Sequence, residues 1–166
     1  MYDYVLQLSF SRDVQEKIQD IKEEIRKNNI EDKEREWKPH ITIDLYNCKN
    51  QEEFIKKIDL IVEKVKPFDI KCKNLNNFDE VTLYIEPYDK KEIHKIKELF
   101  DKELEQYRLE HRKARIYKPH ITLCTTNDLR EATKIAKKKF KEFTTQIKYL
   151  WVYNSNLELI KEYELK

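Results

Sequence analysis

Two heptapeptides, Trp37-Lys38-Pro39-His40-Ile41-Thr42-Ile43 and Tyr117-Lys118-Pro119-His120-Ile121-Thr122-Leu123, share a Lys-Pro-His-Ile-Thr core. The segments around them follow one order, which makes the chain a diverged duplication. In the first half, Tyr4 to Phe10 is β-branched and aromatic and reads as a strand. Ser11 then offers an N-cap, and Val14, Ile18, Ile21 and Ile25 recur at helical spacing to about Asn28. A charged loop, Asn29 to Glu36, leads to a strand from Pro39 to Leu45, with proline at its start, where no ladder N–H is needed. Asn50 and Glu53 open a second helix as a capping box does. Its apolar stripe is Phe54, Ile58, Ile61 and Val65, and Pro67 stops it. Phe68 to about Leu75 reads as a strand, and the Asn-rich stretch Asn74 to Asp79 as a turn.

The second half repeats this order. Val81 to Glu86 is a strand. Asp89 and Glu92 open a helix with the stripe Ile93, Ile96, Phe100, Leu104 and Tyr107. A charged loop runs from Glu110 to Arg115, and Pro119 to Thr125 is a strand. Asp128 and Glu131 open a helix with the stripe Ala132, Ala136, Phe140 and Phe143. Two strands close the chain, Gln146 to Tyr153 and Leu157 to Glu164, joined at Asn154-Ser155-Asn156. The halves meet near Asn77, giving lobes of about 1–77 and 78–166 within one domain. The repeat is too long for a solenoid unit.

Composition matters here mainly through what it excludes. The sequence has no glycine, so phosphate-cradling glycine loops are ruled out, since they need residues without a Cβ where backbone meets phosphate. Tight turns must rest on Asn and Asp. Lys and Arg number 34 against 32 Asp and Glu, a net charge of +2, so any attraction for phosphate is local rather than a broad basic surface. Cys48, Cys72 and Cys124 are an odd, irregularly spaced set. They form no disulfide framework, and free thiols fit a reducing, cytoplasmic compartment. Residues 1–4 show neither a basic nor an apolar leader. The longest apolar run, Tyr149 to Tyr153, is too short to cross a membrane.

Residues two apart on a strand share a face. Each motif therefore sets an imidazole and a hydroxyl side by side, about 7 Å apart by the strand rise. If the halves pack about a pseudo-twofold axis, one cleft holds His40, Thr42, His120 and Thr122. Phosphodiester cleavage needs a base for the attacking oxygen and an acid for the leaving one. An imidazole that titrates near 6.5 serves either role at neutral pH. The two threonine hydroxyls can donate to non-bridging oxygens.

With these two His-x-Thr motifs, the sequence resembles the 2H phosphoesterase superfamily, which includes 2′-5′ RNA ligase-like proteins and cyclic phosphodiesterases. The resemblance implies a bilobal α+β fold with antiparallel sheets lining a cleft and helices outside. It implies that His40 and His120 are the acid/base pair and that Thr42 and Thr122 bind phosphate. It also implies chemistry without metal or nucleotide cofactor, on RNA termini or nucleotide cyclic phosphates such as 2′,3′-cyclic phosphates, or on 2′-5′ linkages.

Further residues become substrate-binding candidates by position. Trp37 and Tyr117 stand three residues before each histidine and could stack on a base; a core role at the strand entrance is the alternative. Lys38 and Lys118 add positive charge beside each motif, or are solvated edge residues. Arg115 ends a basic lip that starts at His111. Tyr84 lies on the central strand of the second half, facing either the cleft or the core. Asp44 shares the strand face of His40, but Cys124 occupies the matching place in the second motif, and that asymmetry argues against a metal site. The expectation is a metal-independent, monomeric cytoplasmic phosphoesterase without a membrane partner. Its alternative is a non-catalytic RNA- or nucleotide-binding module that keeps the fold.

Overall fold

The computed structural model describes residues 1–34 and 36–166. These form β1 (Tyr4–Phe10), α1 (Arg12–Lys27), β2 (Ile41–Tyr46), α2 (Gln51–Val62), β3 (Phe68–Phe78) and β4 (Thr82–Pro87). There follow α3 (Lys91–Glu103), a single 3-10 turn at Glu105–Tyr107, α4 (Glu110–Lys113), β5 (Ile121–Thr125), α5 (Leu129–Lys139), β6 (Phe143–Asn154) and β7 (Leu159–Glu164). The apolar stripes expected of α1, α2 and α3 are the buried faces of those helices. Asn50 caps α2 by accepting from the Glu53 N–H at 3.1 Å, whereas Ser11 occupies the cap position of α1 without a side-chain capping bond.

The strands form one antiparallel sheet in the order β2-β1-β6-β3-β4-β5. Matching the halves element by element (β1 with β4, β2 with β5, β3 with β6) makes this order symmetric about the β6–β3 pair. The third strand of each half therefore joins the first strand of the other. The antiparallel sheets expected to line the cleft are continuous, because β3 and β6 pair directly from Phe68↔Ile147 to Cys72↔Phe143. Beyond that stretch the same flank of β6 pairs with β7, from Tyr149↔Glu164 to Tyr153↔Leu159.

One face of the sheet carries the main core, including Leu6, Leu8, Ile41, Ile43, Ile85, Ile121, Leu150 and Val152 under the helices. On the other face Val5, Trp151 and Tyr153 form a smaller cluster, joined by Tyr2, Trp37, Leu45 and Tyr149. The outer edges are covered crosswise. Ahead of β2, the Lys33 N–H bonds the Thr125 carbonyl of β5 at 3.0 Å, and Asp32 accepts from the Thr125 N–H at 2.9 Å. Ahead of β5, the Tyr107 carbonyl accepts from the Asn47 N–H at 2.8 Å, and Arg108 bridges to Tyr46. Paired edges remove the open template that invites aggregation.

Three local expectations change. Asn74 to Phe78 extends β3 rather than turning; the turn lies at Asp79 and Glu80, with φ of 49° and 58°. Positive φ at both central residues is what a twist-matched hairpin requires. Phe143 belongs to β6, because α5 ends before Phe140. Residues 110–113 of the basic loop wind into α4.

Without glycine, the left-handed positions fall to Asn29, Asp79, Glu80 and Leu157. Leu157 has φ 63° and is 40% exposed, so its backbone strain of about 1–2 kcal/mol is offset by little packing. Leu157→Gly is expected to raise stability by about 1 kcal/mol, read as a higher urea midpoint at unchanged slope. A lower midpoint would show that the side chain packs more than its exposure implies.

Candidate active site

Each histidine stands one residue ahead of its strand, at the joint created by Pro39 or Pro119. Proline holds the preceding lysine extended, and the lysine carbonyl is left to bond the imidazole. His40 Nδ1 lies 2.6 Å from the Lys38 carbonyl and His120 Nδ1 lies 2.7 Å from the Lys118 carbonyl. A carbonyl only accepts, so the proton sits on Nδ1 and Nε2 carries the lone pair. Thr42 Oγ1 is 3.1 Å from His40 Nε2. The buried Ser9 hydroxyl fixes the first joint by donating to the Pro39 carbonyl at 2.8 Å.

Both imidazoles and both threonine side chains line one cleft of about 770 Å³. The threonines face it because the pairing slips at the same point in both halves. Leu6↔Asp44 is followed by Gln7↔Thr42, omitting Ile43; Leu83↔Cys124 is followed by Tyr84↔Thr122, omitting Leu123. Such a slip re-aims the side chains next to it. Asp44 and Cys124 hold equivalent places at the slip and both are buried, Asp44 at the wall of the cleft and Cys124 in the main core.

The other candidates are placed unequally. Trp37, Tyr117, Lys118 and Arg115 line the cleft. Trp37 meets His40 edge-on, ring centroids 5.7 Å apart, and leans on Tyr153. Tyr117 is tied differently from Trp37, because its hydroxyl donates to the Thr42 carbonyl at 2.8 Å and so bridges the two motif segments. Lys38 points to solvent and contributes its carbonyl. Tyr84 stands behind the wall, stacked on Phe78 at 4.2 Å and 5.3 Å from the His120 ring. His94 is half-buried, with its ring edge-on to Tyr117 at 5.5 Å.

Several cleft residues escaped the sequence reading. Phe78 walls His120 with centroids 4.8 Å apart, as Trp37 walls His40. Gln7 faces Thr42, and its buried Oε1 has no hydrogen-bond partner among the described residues. A lone Gln inside the apolar run of β1 was the available signal. Asp44 accepts from Arg112 and, at 3.0 Å, from Lys97, and Lys97 also bonds Asp101. Asp44 is therefore consumed by an ion network that braces α3 and α4 against β2. Among the described residues no three His, Cys, Asp or Glu side chains are placed to share a metal ion.

Burial lowers the pKa of His40 to about 4, helped by the positive charges of Lys22 and of His120 when protonated, against the raising effect of its carbonyl bond. His120 is lowered as well, by burial first and by Arg115 after the opposing carbonyl bond. Asp44 is held below the usual carboxylate range because its bonds to Arg112, Leu45 N–H and Lys97 outweigh burial. Both imidazoles of the cleft are thus shifted toward the neutral form.

The family model of the 2′-5′ RNA ligase superfamily matches residues 10–161. Among solved structures, E. coli LigT in complex with 3′-AMP is similar with a TM-score of 0.65 and 9% identity, over 99% of this chain and 98% of that one. TT0787 of Thermus thermophilus is similar with a TM-score of 0.63 and 13% identity, over 98% and 97%. Usb1 of Kluyveromyces marxianus reaches 0.53 at 12% identity, over 98% and 97%. At such identities these likenesses show the fold alone. No curated protein matches the sequence significantly.

The lowered His40 pKa sets a stability prediction. Between an unfolded value near 6.5 and a folded value of about 4, only the unfolded chain takes up the proton, so the folded state loses stability as pH falls through that window. His40→Gln is expected to flatten this loss, read as urea midpoints at pH 7, 5.5 and 4.5. Parallel losses in the variant and the wild type would show that His40 titrates normally.

Proposed function

We propose, on the premise that the chain belongs to the 2′-5′ RNA ligase superfamily, that it is a metal-independent phosphoesterase acting on RNA termini or nucleotides. Its bonds would be 2′,3′-cyclic phosphates or 2′-5′ linkages, and ligation is the same chemistry in reverse. One observation carries this reading. Two imidazoles, each with Nδ1 bound to a backbone carbonyl and each beside a threonine, open on one cleft. That arrangement suits proton transfer on opposite sides of one phosphorus. The hydroxyls of Thr42 and Thr122 would donate to the non-bridging oxygens as charge grows there.

The two histidines take different parts. His40 is the base in the hydrolytic direction. Its neutral form is favoured by burial and by the nearby Lys22 charge. His120, less strongly lowered, is the acid that protonates the leaving oxygen. Trp37 on one side and Phe78 on the other offer faces against which a base or ribose can pack. Tyr117 holds the Thr42 strand rather than stacking. No step calls for a metal, and Asp44, the carboxylate on the motif strand of His40, is already neutralised by Lys97 and Arg112.

Hydrolysis of adenosine 2′,3′-cyclic phosphate should persist in EDTA and follow a bell-shaped pH profile. His40→Ala and His120→Ala should each lower kcat by at least about 10²-fold. An aryl phosphodiester, whose leaving group needs no proton, should restore much of the rate to His120→Ala and little to His40→Ala. The reverse pattern would exchange the two roles. No turnover of cyclic phosphates or 2′-5′ oligomers by the wild type would leave a nucleotide-binding module. Tyr117→Phe should lower kcat while KM stays near wild type; a raised KM in that variant would assign the hydroxyl to substrate binding instead.

A further inference from the structure

The duplication repeats one more chemical group outside the histidine motifs. Ile18, Ile21, Lys22 and Ile25 of α1 are matched by Ile93, Ile96, Lys97 and Phe100 of α3, at the same spacing in equivalent helices. In both, a lysine occupies the apolar face. Both lysines are buried, 4% exposed at Lys22 and 7% at Lys97, and both line the cleft.

Their partners differ. Lys97 meets two carboxylates, Asp44 and Asp101, so its charge is neutralised within the protein. The place in the second motif that matches Asp44 is Cys124, whose thiol is pushed up to about 12 by burial and so stays neutral. Lys22 therefore lacks the anion its counterpart has. Among the described residues its only hydrogen bond is to the Trp37 carbonyl at 2.6 Å. Burial lowers the Lys22 pKa, while Asp32 and Glu34 favour its charge from a distance. Neither forms an ion pair with it, and Asp32 already accepts from the N–H groups of Glu34 and Thr125. An ammonium has three donors, and a buried charge is costly unless it is paired. The structure thus keeps a cation in the cleft beside His40 with donors left over.

We propose that Lys22 is a phosphate-binding residue, its ammonium donating to a non-bridging oxygen of the phosphoryl group held between His40 and His120. This rests on the phosphoesterase reading of the same cleft. The substrate supplies to Lys22 what Asp44 supplies to Lys97. As charge grows on the non-bridging oxygens in the transition state, the same contact strengthens.

Lys22→Met keeps the length of the side chain and removes its charge. Inorganic phosphate, titrated by calorimetry, should bind at least tenfold more weakly to this variant than to the wild type. kcat/KM for adenosine 2′,3′-cyclic phosphate, which carries no second phosphate, should fall at least tenfold, with Lys22→Arg in between. The His40 imidazole should titrate higher in Lys22→Met by NMR, a change that lost packing alone does not produce. Unchanged phosphate affinity and turnover would overturn the assignment while leaving the activity standing. Weakened phosphate binding in a protein that hydrolyses nothing would overturn the activity while leaving the assignment standing. A loss confined to substrates with a second phosphate would also overturn it. Should Lys22→Met fail to fold, the Lys22 ε-carbon resonance of the wild type decides. Its displacement by phosphate, but not by chloride at equal ionic strength, supports the assignment; no displacement overturns it.

Discussion

The antiparallel pairing of β3 with β6 holds the molecule together. Each is the last helix-preceded strand of its half, and each lies beside the first strand of the other half. Neither half can therefore complete its own sheet. The crosswise covering of β2 and β5 follows from the same exchange: the segment before each motif runs along the edge of the other motif strand. Two histidines 80 positions apart in sequence are held by hydrogen bonds that cross the symmetry axis. The Tyr117 hydroxyl on the Thr42 carbonyl is the most direct of these. A shared cleft is the consequence of the strand exchange, and its geometry is no softer than the sheet itself.

Within that symmetric frame the surroundings of the two motifs differ. The proline joint, the Nδ1 bond to a lysine carbonyl and the threonine two residues on are duplicated. What surrounds them has diverged. Trp37 answers to Tyr117 in sequence, but in space the wall that His120 meets is Phe78. Asp44 answers to Cys124, so one buried lysine is neutralised and the other is not. Gln7 answers to Tyr84 across the slipped pairing, placing an amide in one lobe where the other has a ring. Two identical histidines would have no reason to differ as acid and base. On the proposed reading, these neighbours would give them one.

Much of this was legible in the sequence, for a physical reason. Helix stripes such as Ile18, Ile21 and Ile25 report burial directly, because a helix that hides one face must repeat apolar residues at its own period. The motif was legible because it occurs twice. What stayed hidden was non-local or broke the period. Asn74 to Asn77 read as a turn, yet they lie in β3 paired to β4, and pairing across a sheet outweighs the local preference of Asn. The slipped register at Ile43 and Leu123 breaks strict alternation, and so the face of Asp44 and Cys124 could not be counted from the histidine. Lys22 and Lys97 carry no signal of their own in the sequence, because lysine is rarely buried. Only a comparison of α1 with α3, of the kind applied to the two motifs, would have revealed them.

The lowered histidine pKa values bear on how such a cleft separates resting from working states. Burial between aromatic rings, together with the charges of Lys22 and Arg115, disfavours a proton on either imidazole. A cleft that already carries positive charge is poised to attract a phosphate and reluctant to protonate without one. Once a phosphodiester enters, its negative charge faces the same cations and reverses the balance: an anion near an imidazole favours the protonated form. On the proposed reading His120 would gain the proton first, while His40 would be held neutral by burial and the Lys22 charge. The acid would then be created by the arrival of the substrate it is to protonate. A cleft without metal or glycine loop would thus hold one acid and one base at neutral pH, although the two histidines began as copies of one motif.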